Sequence, residues 1–339
     1  MFAWRPLRKG QDAPQPQAGA ASGGAALLRD DPEAILRRLE WTVMRRLDGL
    51  LQGDYRMLFR GFGLDLADLR EYQPHDDVRY IDWNVTARMQ TPHVREFQED
   101  REVSAWFLLD LSGSVDFGSQ EVRKRALSGE LVTLLARLLT RNGNRVGAVL
   151  YGEGAGADVV IPARGGRRHV LHLLDRMLSF RAPSVGKETD LAVLIERAQK
   201  VMKRRSVVFL VSDFISKTGW ARALSLLAVR HEIVAVRLYD PLELELPDLG
   251  IVVLQDAETG EQMFVDTHDR AFRRRFAQAA ARREAELRAG LAEAGIDCLE
   301  LATDDELGEA LLRFIKLRKR RSQLAAGGSL PRALAGRDA

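Results

Sequence analysis

The hydrophobic positions alternate between two periods from about residue 103 onward. Continuous apolar runs are typical of strands buried on both faces, and the segments between them have the helical period of 3.6 residues. The apolar runs cover 103–111, 206–214 and 231–241, and the helical segments cover 119–143, 166–180, 188–203 and 219–230. This alternation predicts an α/β fold with a doubly wound, mainly parallel sheet of the Rossmann type.

The pattern changes in the last third of this region. Residues 251–267 form two alternating segments around Glu-Thr-Gly-Glu, which predicts a hairpin inserted near 250–267. A long amphipathic helix over 268–294, a strand over 296–303 and a last helix over 304–320 follow. The main domain is therefore predicted to span 102–320.

The flanking segments have a different character. Residues 1–30 are rich in Ala, Gly, Pro and Gln, which predicts a disordered tail. A helix capped by Asp31 and ended by Gly53 opens a small helical and β subdomain over 31–101. Residues 321–339 are predicted to be a loose basic tail.

Composition narrows the class of protein. The 339 residues carry a formal net charge of only +3, and Cys298 is the one cysteine, which fits a reducing compartment. No apolar run approaches the roughly 20 residues that span a bilayer. These features predict a cytoplasmic protein of bacterial type. Nucleic-acid binding through the arginine-rich helix 268–289 and the run 317–321 is a weak alternative, because acidic residues are interspersed in that helix.

Polar side chains follow two of the predicted buried strands. Asp110, Ser112 and Ser114 come after the first, Asp213 ends a later one, and Thr189 precedes a helix. The carboxyl ends of parallel strands meet at one edge of a sheet, so these side chains are expected to converge there. Carboxylates and hydroxyls are hard oxygen ligands, suited to Mg²⁺, with Mn²⁺ or Ca²⁺ as competitors. The alternative is an ordinary polar turn.

This pattern resembles the metal ion-dependent adhesion site of von Willebrand factor A-like domains, with Asp-x-Ser-x-Ser, then a Thr, then an Asp. The resemblance implies a von Willebrand A-like fold. It also implies that the hydroxyls of Ser112, Ser114 and Thr189 contact the metal directly, while Asp110 and Asp213 act behind them through water.

A second resemblance lies upstream, in "REYQPHDDVRYIDWNVTAR" at 70–88, and "DAETGE" at 256–261 fits as well. Both are similar to the family called domain of unknown function 58. The chain departs from that pattern at His75, where Gly is usual. The resemblance implies a MoxR-type AAA+ ATPase as partner, together with a client protein.

The role of this signature segment has two interpretations. Its aromatic and aliphatic side chains are candidate core anchors, and its charged side chains are candidates for a salt-bridged turn that joins the small subdomain to the main one. The alternative is partner docking. The first set is Tyr72, Tyr80, Ile81 and Trp83; the second is Asp76, Asp77, Arg79, Asp82 and Arg88.

The sequence leaves two functions in competition. The first is a non-enzymatic, metal-dependent interaction protein whose metal accepts an acidic side chain of its partner. The second is a metal-dependent phosphohydrolase that uses the same site, although Ser112 stands where aspartate-nucleophile phosphatases have a second Asp. A separate metal site on His169, His172 and Asp175, which share a helical face, lacks matching ligands elsewhere.

Overall fold

The computed structural model describes residues 2–5, 68–73, 83–96, 104–118, 122–152, 159–180, 188–256 and 261–325, together with Val78 and Ile81. The strands are β1 Phe2–Arg5, β2 Asp68–Glu71, β3 His93–Glu96, β4 Ser104–Asp110, β5 Arg145–Tyr151, β6 Val159–Arg164, β7 Val207–Ser212, β8 Glu232–Tyr239, β9 Ile251–Asp256, β10 Gln262–Asp266 and β11 Asp297–Ala302. The α-helices are α1 Trp83–Met89, α2 Lys124–Arg141, α3 Arg167–Ser179, α4 Leu191–Val201, α5 Trp220–Ala228, α6 Arg270–Glu293 and α7 Leu307–Ala325.

A six-stranded sheet in the order β11-β8-β7-β4-β5-β6 organises the main domain. Its pairs are parallel except at one edge, where β6 runs antiparallel to β5 and carries the exposed Pro162. The predicted fold class, a doubly wound and mainly parallel α/β sheet, is confirmed by this topology.

Both faces of the sheet are covered, as the continuous apolar runs predict. Phe107 and Leu109 of β4 point into one core together with α2, α3 and α7. Trp106 and Leu108 point into the opposite core together with α4, α5 and α6. The alternation along β4 therefore divides its side chains between two hydrophobic layers.

The predicted hairpin insertion near 250–267 is observed as β9 and β10, which pair antiparallel. The disorder predicted for 1–30 is wrong for Phe2–Arg5, because these residues form β1 and pair antiparallel with β9. The other strand of the hairpin, β10, occupies one side of β9, and β1 completes the hydrogen bonding of the other side. The rest of that segment lies outside the described residues.

The described parts of the small subdomain are α1 and the antiparallel pair β2–β3. The helix predicted over 31–53 falls outside the described residues. At the other end of the chain, α7 continues to Ala325, so the basic tail predicted from residue 321 begins as helix. None of the helices in the described part is both long and apolar enough to cross a bilayer.

The sheet order places the candidate site. β4 lies beside β7 in parallel register, with Leu109 opposite Val211. Asp110, at the end of β4, and Asp213, directly after β7, therefore emerge side by side at the carboxyl edge. Residue Thr189 lies two positions before α4, at the same edge.

Candidate metal centre

All five predicted site residues are buried. Asp110, Ser112, Ser114 and Thr189 have no exposed surface, and Asp213 is 5% exposed. Buried polar groups require partners, because leaving one unsatisfied costs about 1–3 kcal/mol. The hydrogen bonds of these residues therefore show which of their buried oxygen atoms already have a partner.

Asp110 is held by neutral donors. Its Oδ1 accepts a hydrogen bond from the Ser112 amide (3.1 Å), and its Oδ2 accepts one from the Ser212 hydroxyl (2.6 Å). Burial, with the charge of Asp213 adding to it, raises the pKa of Asp110 to about 6, although the bonds from Ser212 and Ser112 lower it in part. At neutral pH the site thus holds a buried carboxylate whose charge is poorly compensated.

The two predicted serine ligands lie together. Ser112 and Ser114 flank the start of a 3₁₀ helix over Gly113–Asp116, and their Oγ atoms are 3.1 Å apart. The alternate spacing of these serines brings both hydroxyls to one point, as expected from the sequence. Two oxygens at this separation are compatible with shared ligation of one cation.

Thr189 connects two loops of the edge. Its carbonyl oxygen accepts hydrogen bonds from the Lys217 amide (2.9 Å) and the Ser216 hydroxyl (3.2 Å), both in the loop after β7. The next residue, Asp190, caps α4 by accepting from the Ala192 amide (3.1 Å). Thr189 is consequently fixed beside the loop that carries Asp213.

Asp213 has both carboxylate oxygens engaged. Oδ1 accepts from the Ile215 amide (3.0 Å), and Oδ2 accepts from the ammonium of Lys124 (2.7 Å). The same ammonium donates to Oε1 of Glu243 (2.7 Å). Burial opposes the charged form of Lys124, but the two carboxylates more than offset it, so the pKa of Lys124 is raised and it stays an ammonium.

Sequence reasoning missed Lys124, Glu243 and Ser212. One signal was available for Lys124, because it falls at helical spacing with Leu127 and Leu131 and thus on the buried face of α2. A charge on an apolar face indicates a buried partner. Nothing in the spacing identifies Glu243 as that partner.

A cavity of about 430 Å³ adjoins Asp213. Phe214, Trp220 and Leu287 line it, together with the buried Arg237, whose Nη1 donates to Glu284 (2.7 Å). Phe214 has a positive φ of 58° and packs edge-on against Trp220 at 5.3 Å. Positive φ is uncommon for an aromatic residue, so the loop after Asp213 carries local backbone strain.

Other candidate ligands are arranged differently. The Nε2 of His169 donates to the carbonyl of Val146 (2.8 Å), and its ring lies 6.4 Å from that of His172. Within the described ranges, no cluster of three His, Cys, Asp or Glu side chains could hold a metal ion. A cation at the strand-end site would therefore depend on hydroxyl oxygens as well as carboxylates.

The signature segment is only partly described. The interpretation of Trp83 as a core anchor is wrong, since its side chain is 70% exposed at the start of α1. Tyr72 and Ile81 are half-buried. The remaining members, Asp76, Asp77, Arg79, Tyr80, Asp82 and the side chain of Arg88, lie outside the described set.

The fold and the site define the class: a doubly wound α/β protein with a carboxylate and hydroxyl cluster at the carboxyl ends of adjacent strands. The chain belongs to the family described as "Protein of unknown function DUF58", whose model matches residues 68–286. The predicted family membership is confirmed.

Relatives occur in mycobacteria. The chain is 40% identical over 295 residues to "Uncharacterized protein Rv1480" of Mycobacterium tuberculosis, covering 86% of this chain and 92% of the relative. It is 38% identical over 160 residues to "Uncharacterized protein MAV169" of Mycobacterium avium, covering 47% and 94%.

The solved structures that the chain matches are distant in sequence. The conserved hypothetical protein BatB from Bacteroides thetaiotaomicron has a TM-score of 0.41 at 14% identity, covering 64% of this chain and 99% of BatB. The von Willebrand A (VWA) domain of SpRpn10 has a TM-score of 0.36 at 11% identity, covering 63% and 95%.

Proposed function

We propose that this protein is a non-enzymatic, metal-dependent interaction protein. Mg²⁺, or Mn²⁺ or Ca²⁺ in its place, would be held by the hydroxyls of Ser112, Ser114 and Thr189, with Asp110 and Asp213 behind them. The observation that carries the proposal is the buried Asp110 carboxylate. Its hydrogen-bond donors among the described residues are the Ser212 hydroxyl and the hydroxyl and amide of Ser112, all of them neutral.

A divalent cation suits this donor set. Hydroxyl and carboxylate oxygens are the ligands of hard cations, and Mg²⁺ takes about six in octahedral geometry. Three protein hydroxyls leave open positions, which an acidic side chain of a partner protein can fill. Such a contact is charge-assisted and disappears when the metal is removed.

We further propose that the partner is a MoxR-type AAA+ ATPase acting with a client protein in its maturation or remodelling. The family membership supports this, because the resemblance to domain of unknown function 58 implies such an ATPase as partner. A cytoplasmic setting is proposed on the single cysteine, since reduced thiols are typical of that compartment. No specific observation favours the phosphohydrolase alternative.

Metal binding is tested by thermal unfolding of the full chain with Mg²⁺, Mn²⁺ or Ca²⁺. A ligand that binds only the folded state adds about 2.7 kcal/mol at one hundred times its dissociation constant. Wild type is expected to show a saturable rise in Tm, and the double variant Ser112→Ala, Ser114→Ala is expected to lose it.

Ser128→Ala is the matched control, because Ser128 is also fully buried and lies on α2, with no hydrogen-bond partner for its hydroxyl in the described structure. It should keep the full metal response. An equal rise in Tm with metal for wild type and the double variant would show that these serines do not bind the metal.

The partner is tested by co-purification of the full chain with an AAA+ ATPase of the MoxR type from the same genome. Binding should fall on addition of EDTA and return with Mg²⁺. Binding that ignores EDTA would argue against a metal-bridged contact.

A further inference from the structure

A buried ammonium lies directly behind the candidate metal centre. Lys124 has no exposed surface, and its Nζ is 2.7 Å from both Asp213 Oδ2 and Glu243 Oε1. The three residues come from α2, from the loop after β7 and from the 3₁₀ helix Pro241–Glu243 that follows β8. The phenyl ring of Phe117 closes one side, with its centroid 5.9 Å from the ammonium.

The Glu243 side of this bridge is rigid. The other oxygen of Glu243, Oε2, accepts a hydrogen bond from the Asp240 amide (3.2 Å) within a capping box. Asp240 in turn accepts from Leu242 (3.0 Å) and from the hydroxyl of Thr303 (2.8 Å), at the end of β11. Glu243 therefore holds the ammonium in place, since its own carboxylate is tied to Asp240, which in turn bonds Thr303 next to the end of β11.

The Asp213 side determines what a cation would meet. Oδ2 of Asp213 is occupied by Lys124, and Oδ1 by the amide of Ile215. Each of these oxygens can accept a second bond, but a metal on Oδ2 would lie close to the Lys124 ammonium and would be repelled by it. One ammonium offsets one of the two charges of Asp213 and Glu243, so a second cation nearby is still favourable.

We propose that Lys124 is a positioning residue for the metal site, an internal counter-ion that keeps Asp213 out of the inner coordination shell. This rests on the proposed function. With Asp213 withheld, the metal is bound by neutral hydroxyls and retains positive charge for the carboxylate of a partner. Lys124 thus lowers the affinity of the site for the metal and raises the affinity of the bound metal for the partner's carboxylate.

Replacing one member of this buried ion pair is expected to strengthen metal binding, although it destabilises the metal-free protein. Lys124→Met removes the charge and keeps most of the side-chain volume. The loss of a positive charge beside the site and the release of Asp213 should tighten Mn²⁺ binding by about tenfold or more, given the strength of Coulomb interactions in a buried site. At the same time the metal-free protein should unfold at a lower temperature, because two carboxylates lose their partner.

The experiment measures the Mn²⁺ affinity of the full chain by electron paramagnetic resonance, with Mn²⁺ itself as the probe. Lys124→Met is compared with wild type and with Arg125→Met, its matched control. Arg125 is the next residue of α2 and is also buried, but it pairs with Asp116 (3.4 Å) and with the carbonyl of Phe180. Arg125→Met should leave Mn²⁺ affinity within a factor of about two, the scatter usual for sites that share no partner.

Two further variants keep the test decisive if Lys124→Met does not fold. Adding Glu243→Gln to Lys124→Met removes one of the two stranded charges and should restore stability while keeping the tighter binding. Glu243→Gln alone leaves the ammonium entirely on Asp213 and should weaken Mn²⁺ binding. A crystal structure of the Lys124→Met variant with Mn²⁺ should show Asp213 within ligand distance of the metal.

The outcomes separate the two proposals. Suppose that wild type binds Mn²⁺ and that folded Lys124→Met binds it equally or more weakly. That result would overturn the role of Lys124 and leave the metal site intact. Wild type that binds no Mn²⁺ would overturn the proposed function. If wild type binds no Mn²⁺ but the Lys124→Met variant does, the ammonium of Lys124 takes the place of the metal ion in wild type. The positioning role of Lys124 is then overturned as well.

Discussion

At the scale of single residues, the cysteine is the simplest group to test. Burial raises the pKa of the Cys298 thiol to about 12, and the nearby Glu300 adds to the effect. The thiolate is the reactive form, so at pH 8 only about one thiol in ten thousand would be ionised, against about one in four for a free cysteine of pKa 8.5.

We therefore expect native Cys298 to react with Ellman's reagent at least about a hundred times more slowly than the same residue in guanidinium chloride. Stopped-flow or manual absorbance traces at pH 8 are sufficient. A fast reaction of the native protein would contradict the raised pKa of this half-buried thiol in β11.

The candidate site could be predicted in part from single residues. Asp110 and Asp213 were placed at one edge because each directly follows a buried parallel strand, and Ser112 and Ser114 were expected to converge. The structure brings these side chains to that edge. Metal binding by them stays a prediction.

The Lys124 bridge could not be predicted in this way. Its two partners lie 89 and 119 residues further along the chain. A local pattern can show that a charge falls on an apolar helix face, but the identity of its partner depends on how distant strands are ordered.

At the scale of elements, β5 carries a glycine whose replacement should be costly. The register between β5 and β6 shifts between Val146 and Ala148, at Gly147. A Cβ there would lie 2.9 Å from the Ala163 nitrogen and 2.9 Å from the Ile161 oxygen, both backbone atoms that cannot rotate away. We expect Gly147→Ala to lower the free energy of unfolding by about 1–3 kcal/mol, as for other overpacking changes.

Gly129→Ala is the matched control for this prediction. Gly129 lies inside α2, and a Cβ there would meet only Met177, at 4.0 Å. Alanine is a better helix former than glycine, so this substitution should stabilise the protein by about 0.5–1 kcal/mol. Urea unfolding of both variants measures the two values, and equal effects would show that packing at the β5–β6 register shift is unimportant.

Element prediction was accurate where the pattern was strong and weaker at the ends of the chain. The spacing of the hydrophobic positions alone predicts the hairpin and the long buried strands. β1 was missed because the composition of residues 1–30 as a whole masks the apolar letters Phe2, Ala3 and Trp4. α7 runs past the predicted end at residue 320, and Arg321, the first residue beyond that end, pairs with Asp297.

At the scale of the whole molecule, stability should depend on the two cores and little on the exposed Trp83. Phe209 of β7 stacks on Phe107 of β4, with 5.3 Å between ring centroids, in the centre of the sheet. We expect Phe209→Ala to cost about 3–5 kcal/mol, as for other buried aromatic residues.

Trp83→Ala is the contrasting variant, because it removes a larger side chain that is exposed. It should change the free energy of unfolding by no more than about 0.5 kcal/mol. Denaturant titrations followed by circular dichroism compare the two. A large loss for Trp83→Ala would restore its interpretation as a core residue.

The overall fold was predictable because the continuous apolar runs require helices on both faces of the sheet, and the two observed cores agree. The exposure of Trp83 was not predictable, since an aromatic residue in a polar segment fits a buried anchor and an exposed contact equally well. The distinction depends on tertiary neighbours that no local pattern encodes.

The antiparallel edge strand β6 has a consequence for solubility. An open edge is a template on which other chains can add strands and aggregate, and proteins counter this with proline and charged residues. Pro162 has no backbone N–H to offer, and Arg164 at the end of the same strand is exposed. β6 is therefore a poor template for intermolecular strand addition, and this side of the sheet should resist amyloid-like assembly even at high concentration.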